Sequence, residues 1–290
     1  MGSQRAPGSL AWVEHVRWTS RPTLRRPVVV AAFEGWNDAG DAASTAARWL
    51  RDRWAPERFG EIDPEEFFDF TSTRPAVHLV EGETREISWP TTELTAGSVA
   101  GVDAVVVLGT EPHLRWRTFS EELVELAQEL GCRLFVTLGA MVAEVPHSRP
   151  VRVVGSVTDP KLQEELDLPP STYEGPTGII GVLTTACRDA GLTTASLWAA
   201  VPTYVPAAPS PKAALALVDQ TSRLLGVQLP TTELEIASSS YERQVSELVA
   251  EDDETADYVR NLEDSHDRDS DLPGRSLVEE VERFLRDRGE

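Results

Sequence analysis

Residues 28–33, Val-Val-Val-Ala-Ala-Phe, form an unbroken apolar run that stops at the polar turn Glu34-Gly-Trp-Asn-Asp38. A strand with one wet face alternates apolar and polar side chains, so a run without alternation belongs to a strand covered on both faces. Residues 103–108 and 133–138 have the same character, and 151–154 and 196–200 read as further strands. Between them the spacing turns helical. Residues 41–54, 119–130, 161–166, 181–190 and 212–225 are predicted helices, with Ser210-Pro211 opening the last and Gly131, Gly191 and Gly226 closing three of them. Repeated strand-then-helix units predict an α/β fold with a largely parallel central sheet flanked by helices on both faces.

Residues 67–70, 77–79 and 84–89 read as shorter strands, the last two joined as a hairpin through Gly82. Residues 1–26 show no periodicity and are expected to be an irregular lead-in, and residues 27–230 the α/β core. Residues 231–290 form a separate acidic helical segment, in which 17 carboxylates and 7 arginines lie between Tyr241 and Glu290. Its apolar stripe, Tyr241, Val245, Leu248, Val259 and Leu262, is interrupted at Asp252 and Thr255. A second stripe follows at Leu277, Val281, Phe284 and Leu285. Two helices packed on the domain or on a neighbouring subunit are expected, because a helix that cannot bury its stripe locally does so against a partner.

The apolar runs fall short of the roughly 20 residues of a membrane helix, and the first residues lack the apolar stretch of a secretory signal. A cytoplasmic protein with no membrane partner is expected. The net charge of −21 repels phosphate backbones, so nucleic acid is not an expected partner either. Among 27 cationic residues only Lys161 and Lys212 are lysines, a bias that fits a GC-rich bacterial genome. Cys132 and Cys187 have no Cys-x-x-Cys spacing and read as two buried thiols.

In open α/β sheets ligands gather at the carboxyl ends of the strands. The residues that follow the strands are Glu34, Trp36, Asn37 and Asp38, then Thr110, Glu111 and His113, then Gly139, Met141 and Glu144, and last Thr203 and Tyr204. From these, Glu34, Trp36, Asn37, Asp38, Glu111, His113, Met141 and Tyr204 are taken as a binding rim. Glu34, Asp38, Glu111 and His113 are the candidates for acid and base work, while Asp38 can equally cap the helix that follows. His113 and His147 lie in Pro-containing loops and read as hydrogen-bonded loop histidines. Their spacing does not make a zinc site, and no cofactor or metal is expected. Gly175-Pro-Thr-Gly-Ile-Ile-Gly181 lacks the Gly-Lys-Ser/Thr of a P-loop and reads as tight turns beside the sheet. Neither Gly-x-Ser-x-Gly nor His-Glu-x-x-His occurs.

Phe33-Glu-Gly-Trp-Asn-Asp-Ala-Gly40 resembles a motif of the bacterial branch of the proteasome assembly chaperone-two family. Gly109-Thr-Glu-Pro-His-Leu-Arg-Trp-Arg117, Leu138-Gly-Ala-Met141, Val145-Pro-His-Ser-Arg-Pro150, Gly175-Pro-Thr-Gly-Ile179 and Ser196-Leu-Trp-Ala-Ala-Val-Pro202 follow in that family's order. The resemblance covers about residues 25–225. It implies an α/β sandwich similar to phosphorylase and peptidyl-hydrolase-like folds, and protein partners related to the proteasome. Family chaperones dock through a terminal hydrophobic-Tyr-any motif, from which Arg288-Gly-Glu290 departs. The expected function is that of a non-enzymatic assembly-chaperone-like protein acting as a homo-oligomer, a trimer or a dimer. The alternative is a small-molecule hydrolase or phosphorylase-like enzyme that uses the carboxylate rim, with Arg115, Arg117 and Arg149 as its anion contacts.

Overall fold

The computed structural model describes residues 14–80, 84–166 and 174–270. In chain order the elements are β1 (Val16–Trp18), β2 (Val28–Glu34), α1 (Ala42–Trp54), β3 (Glu57–Ile62), β4 (Ala76–Val80), β5 (Thr84–Ser88), β6 (Thr92–Val99), β7 (Val102–Thr110) and α2 (Trp116–Glu129). They continue with β8 (Leu134–Ala143), β9 (Val153–Val157), α3 (Pro160–Glu165), α4 (Ile179–Asp189), β10 (Thr194–Pro202), α5 (Pro211–Leu225), α6 (Thr232–Ala250) and α7 (Asp253–Ser270).

Eight strands form one sheet in the order β1-β3-β6-β7-β2-β8-β10-β9. The four central strands β7, β2, β8 and β10 run parallel. Antiparallel pairings flank them: β6, β3 and β1 on one side and β9 on the other. The α/β class with its parallel centre is thus the one read from the alternating runs.

The continuous apolar run of β2 has the cause given above. Val28, Val30 and Ala32 face one layer, where Ala42, Ala43, Ala46, Ala47 and Leu50 of α1 meet Leu217 and Val218 of α5. Val29, Ala31 and Phe33 face the other, against Phe119 and Leu123 of α2 and Ile180 and Leu183 of α4. Both layers are closed to water, so neither face of the strand tolerates a polar residue.

Several elements differ from the sequence reading. Val16–Trp18, inside the stretch expected to be irregular, pairs with β3 as an edge strand. Residues 67–70 are not a strand. Phe67 and Phe68 donate their amides to Pro64 O in a tight turn that buries both rings. β8 does not stop at Leu138 but runs to Ala143. Gly139 is no terminator there: a Cβ at this position would lie 2.6 Å from the ring of Trp198 on β10, so the strand passes beneath the indole only as glycine. The expected hairpin is β4–β5, although its turn at Gly82 lies outside the described residues.

The interruption read at Asp252 is where α6 ends and α7 begins, and Thr255 N donates to Asp252 Oδ2 at 2.8 Å as the new helix starts. The stripe at Leu277–Leu285 lies outside the described residues. No described helix is long and apolar enough to cross a membrane.

Candidate functional site

The loops after β2 and β7 meet at the carboxyl edge of the parallel strands, where Glu111 N donates to Glu34 O at 2.8 Å. Beyond Gly35 the chain returns to the sheet. Ala140 N of β8 donates to Asn37 O at 2.8 Å, which makes Asp38 a one-residue bridge to that strand. From this turn Asn37 and Asp38 send their side chains to opposite layers.

Asn37 turns toward α4. Its Nδ2 donates to Glu111 Oε1 at 2.7 Å, and the same oxygen accepts Ile179 N at 2.8 Å. Glu111 therefore places a carboxylate on the first amide of α4, where the helix dipole favours negative charge. Gly178 makes the approach possible: a Cβ there would lie 2.4 to 2.7 Å from the Asn37 amide and from Glu111 Oε1. The Gly175–Gly181 motif serves this contact, since its glycine lets the helix close onto the two side chains.

Asp38 turns toward α1. Its Oδ1 accepts Ala43 N at 2.7 Å and Ser44 N at 3.1 Å, which satisfies two amides of the first turn. Asp41, directly before the helix, has left-handed backbone (φ 50°) and makes no cap bond, so Asp38 does the work from three residues further back. Burial raises the Asp38 pKa, and the hydrogen bonds from Ser44 and Ala43 pull against that rise.

The other rim groups have separate engagements. Glu34 pairs with Arg48 of α1. His113 accepts Asp69 N at Nδ1 (3.1 Å), and its Nε2 lies 3.4 Å from Thr73 Oγ1, so both nitrogens serve the turn after Phe67–Phe68. Met141, read as part of a strand-end turn, lies inside β8. It is buried against Val145, Val154 and Trp198, so it lines no open surface. Trp36 and Leu114 are half exposed on the two loops that meet there.

A second cluster lies at the ends of β8 and β10, around the loop Val145-Pro-His-Ser-Arg-Pro150. His147 is 4 % exposed, and its backbone N–H donates to Tyr204 Oη at 2.7 Å. Its Nδ1 lies 2.8 Å from the same hydroxyl, and its Nε2 lies 2.9 Å from Ser246 Oγ of α6. Ser246 Oγ in turn donates to Glu242 O. One proton arrangement satisfies the whole chain. The Tyr204 hydroxyl donates to Nδ1, and neutral imidazole donates from Nε2 to Ser246. Burial lowers the His147 pKa, Lys212 lowers it further, and Glu242 and Glu263 oppose them.

Around this histidine, Lys212 Nζ of α5 holds His147 O and Glu242 Oε2, each at 2.5 Å. Arg149 grips Asp267 of α7 with two bonds of 2.7 Å, and Ser148 bonds Glu263. The loop is thus the seat of α6 and α7. Arg149 is committed to this seat and Arg115 to Glu66, so the anion contacts proposed for them have carboxylate partners already.

His147 was legible as a hydrogen-bonded loop histidine, but its partner Ser246 lies 99 residues away, and nothing local announces it. Among the described residues no group of three or more His, Cys, Asp or Glu side chains is arranged to hold a metal ion.

The model of the PAC2 family matches residues 32–249. A PAC2 family protein from Streptomyces avermitilis is 48% identical, with TM-score 0.75, over 80% of this chain and 99% of its own. A Mycobacterium tuberculosis proteasome-assembly chaperone homologue is 43% identical, with TM-score 0.73 and coverage of 80% and 99%. A second M. tuberculosis protein, of unknown function, is 28% identical and aligns over 100% of both chains with TM-score 0.83. No curated protein matches. The long family match and the two relatives above 40% identity assign the fold and the motif loops together: this chain belongs to the PAC2 family.

Proposed function

We propose that the chain is a non-enzymatic assembly factor that acts as a homo-oligomer and binds proteins related to the proteasome. The observation that carries this reading is the separate employment of the four acid–base candidates. Glu34 is tied to α1 through Arg48, Asp38 holds the first turn of α1, Glu111 holds the first turn of α4, and His113 holds the turn after Phe68. An acid and base pair must reach one bound substrate together, and groups spent on three different segments, α1, α4 and the turn after Phe68, are placed for rigidity instead. The M. tuberculosis relative described as a proteasome-assembly chaperone homologue supports the same reading. Trp36 and Leu114 on the meeting loops supply apolar contacts of the kind that anchor protein partners.

The test mixes the purified full chain with separately purified proteasome α-subunits from the same cell and follows ring formation by native mass spectrometry. The expected result is a complex with unassembled subunits and faster ring formation, both reduced in a Trp36→Ala, Leu114→Ala double variant. Absence of any complex or rate effect overturns the reading. A thermal-shift series with nucleosides, phosphate and divalent cations tests the enzymatic alternative, because a ligand that binds the native state raises the melting temperature.

A further inference from the structure

The loop 145–152, the end of β10 and the start of α5 enclose a cavity together with Tyr241 of α6 and His266 of α7, and its volume is about 20 Å³. A water needs roughly 10–15 Å³ of such space, so the cavity admits a group of a few atoms and is too small for a nucleoside. It lies beyond the carboxyl ends of β8 and β10, the edge at which α/β sheets collect ligands. None of the rim residues lines it, so it is a place apart from the loops around Glu34 and Glu111.

Pro146, Pro150, Val151 and Pro202 contribute apolar wall, and a small number of polar groups stand among them, as in most ligand pockets. One of these is unsatisfied. Tyr241 is 6% exposed, and its hydroxyl is buried without a hydrogen-bond partner among the described residues. Ser210 stands beside it without closing a hydrogen bond. A buried hydroxyl left unpaired costs stability, so this position calls for an acceptor that the chain does not supply.

Two further donors are at hand. Ser210 Oγ accepts Ala213 N at 3.3 Å as the cap of α5, which leaves the hydroxyl proton to donate. Lys212 Nζ spends two of its three N–H groups, on His147 O and on Glu242 Oε2. Both residues belong to the first turn of α5, where the helix dipole is positive.

We propose that this cavity binds a compact monoanion, a halide or a formate-sized carboxylate, which accepts from the Tyr241 hydroxyl, the Ser210 hydroxyl and the Lys212 ammonium.

Charge selects an anion over water. Arg152 and Lys212 bring positive charge to the lining, His147 and His266 add imidazoles, and none of the described lining residues is a carboxylate. Glu242 meets Lys212 from outside the lining, with its side chain 41% exposed and its charge open to screening. In a chain of net charge −21 such a lining is a local exception. Water would serve the hydroxyls, whereas an anion serves the hydroxyls and the positive lining together.

The experiment has two arms on the full chain. Crystals soaked in sodium bromide are measured at the bromine edge, and an anomalous peak is expected within hydrogen-bond distance of Tyr241 Oη. In solution, melting temperatures of the parent and of Tyr241→Phe are followed in chloride and in formate, against gluconate at equal ionic strength. The parent should show a saturable rise in at least one of the two small anions, because a ligand of the native state raises the melting temperature. The stronger rise tells halide from carboxylate. Tyr241→Phe should be at least as stable as the parent in gluconate, where the hydroxyl has no acceptor. In the favoured anion it should be less stable, with the apparent dissociation constant raised roughly tenfold or more. A purely structural role for the hydroxyl would lower stability equally in every salt and overturn the proposal. An empty or water-filled cavity in the bromide crystals also overturns it, as does a bromide peak without a saturable rise in either anion, which would be an adventitious ion only.

Discussion

Tyr204 and His147 are joined twice through one hydroxyl, which accepts the histidine's backbone N–H at 2.7 Å and lies 2.8 Å from its Nδ1. Tyr204→Phe keeps the ring packing and removes both bonds, leaving a buried amide and a buried ring nitrogen unsatisfied. A loss of about 1–3 kcal/mol is expected, measured by urea denaturation. Limited proteolysis should cut the α6–α7 pair earlier than in the parent.

The same histidine predicts a pH dependence. Its folded pKa lies below the unfolded value near 6.5, because burial and Lys212 disfavour the charged form against the opposing Glu242 and Glu263. In the window between the two values the unfolded chain binds more protons, so stability rises with pH there and is lost as pH falls from about 6.5. Melting temperatures taken from pH 8 to pH 5 should decline in the parent. In His147→Gln the decline in this window should be shallower.

Asp38 has the opposite linkage. A raised carboxyl pKa means that the native state holds its proton more tightly, so this group's contribution to stability falls as pH rises through the folded value. Asp38→Asn keeps an oxygen for Ala43 N and Ser44 N without the buried charge, and at neutral pH it should be at least as stable as the parent. Asp38→Ala loses the cap and should cost about 0.5–2 kcal/mol. Thermal unfolding of the two variants at pH 7 separates these outcomes.

At Gly178 a methyl group collides with Asn37 and Glu111, so Gly178→Ala should destabilise by about 1–3 kcal/mol. Glu111→Gln keeps an acceptor for Ile179 N but removes the charge from the start of α4, with an expected cost of about 0.3–1 kcal/mol. The larger loss belongs to the alanine variant, and equal losses in chemical denaturation would refute the close-contact explanation.

The strands legible in the sequence are those sealed on both faces. Val28–Phe33 and the cores of β7, β8 and β10 read as apolar runs because helices cover both sides. β3 and β6 lie on the antiparallel flank with partly open faces, and sequences such as Glu-Arg-Phe-Gly-Glu-Ile carry too few apolar residues to stand out. Phe67 and Phe68 misled in the other direction: their apolarity reflects burial in a turn, a need that does not distinguish turn from strand. At the site, the composition of the rim was legible and its wiring was not. Glu111 serves a helix that begins 68 residues later, and sequence spacing carries no trace of such a contact.

The alanines through which α1 rests on the sheet have a consequence for how this protein can change over generations. Ala42, Ala43, Ala46 and Ala47 are fully buried, so each offers a methyl group and no torsion that could absorb a larger neighbour. The loop from Glu34 to Asp41 hangs directly from this seat. Trp36, half exposed, can be exchanged without disturbing it, whereas enlarging any of the four alanines would push the helix and the loop away together. Change is therefore open to the lineage at exposed loop positions such as Trp36, on a footing that admits almost no drift.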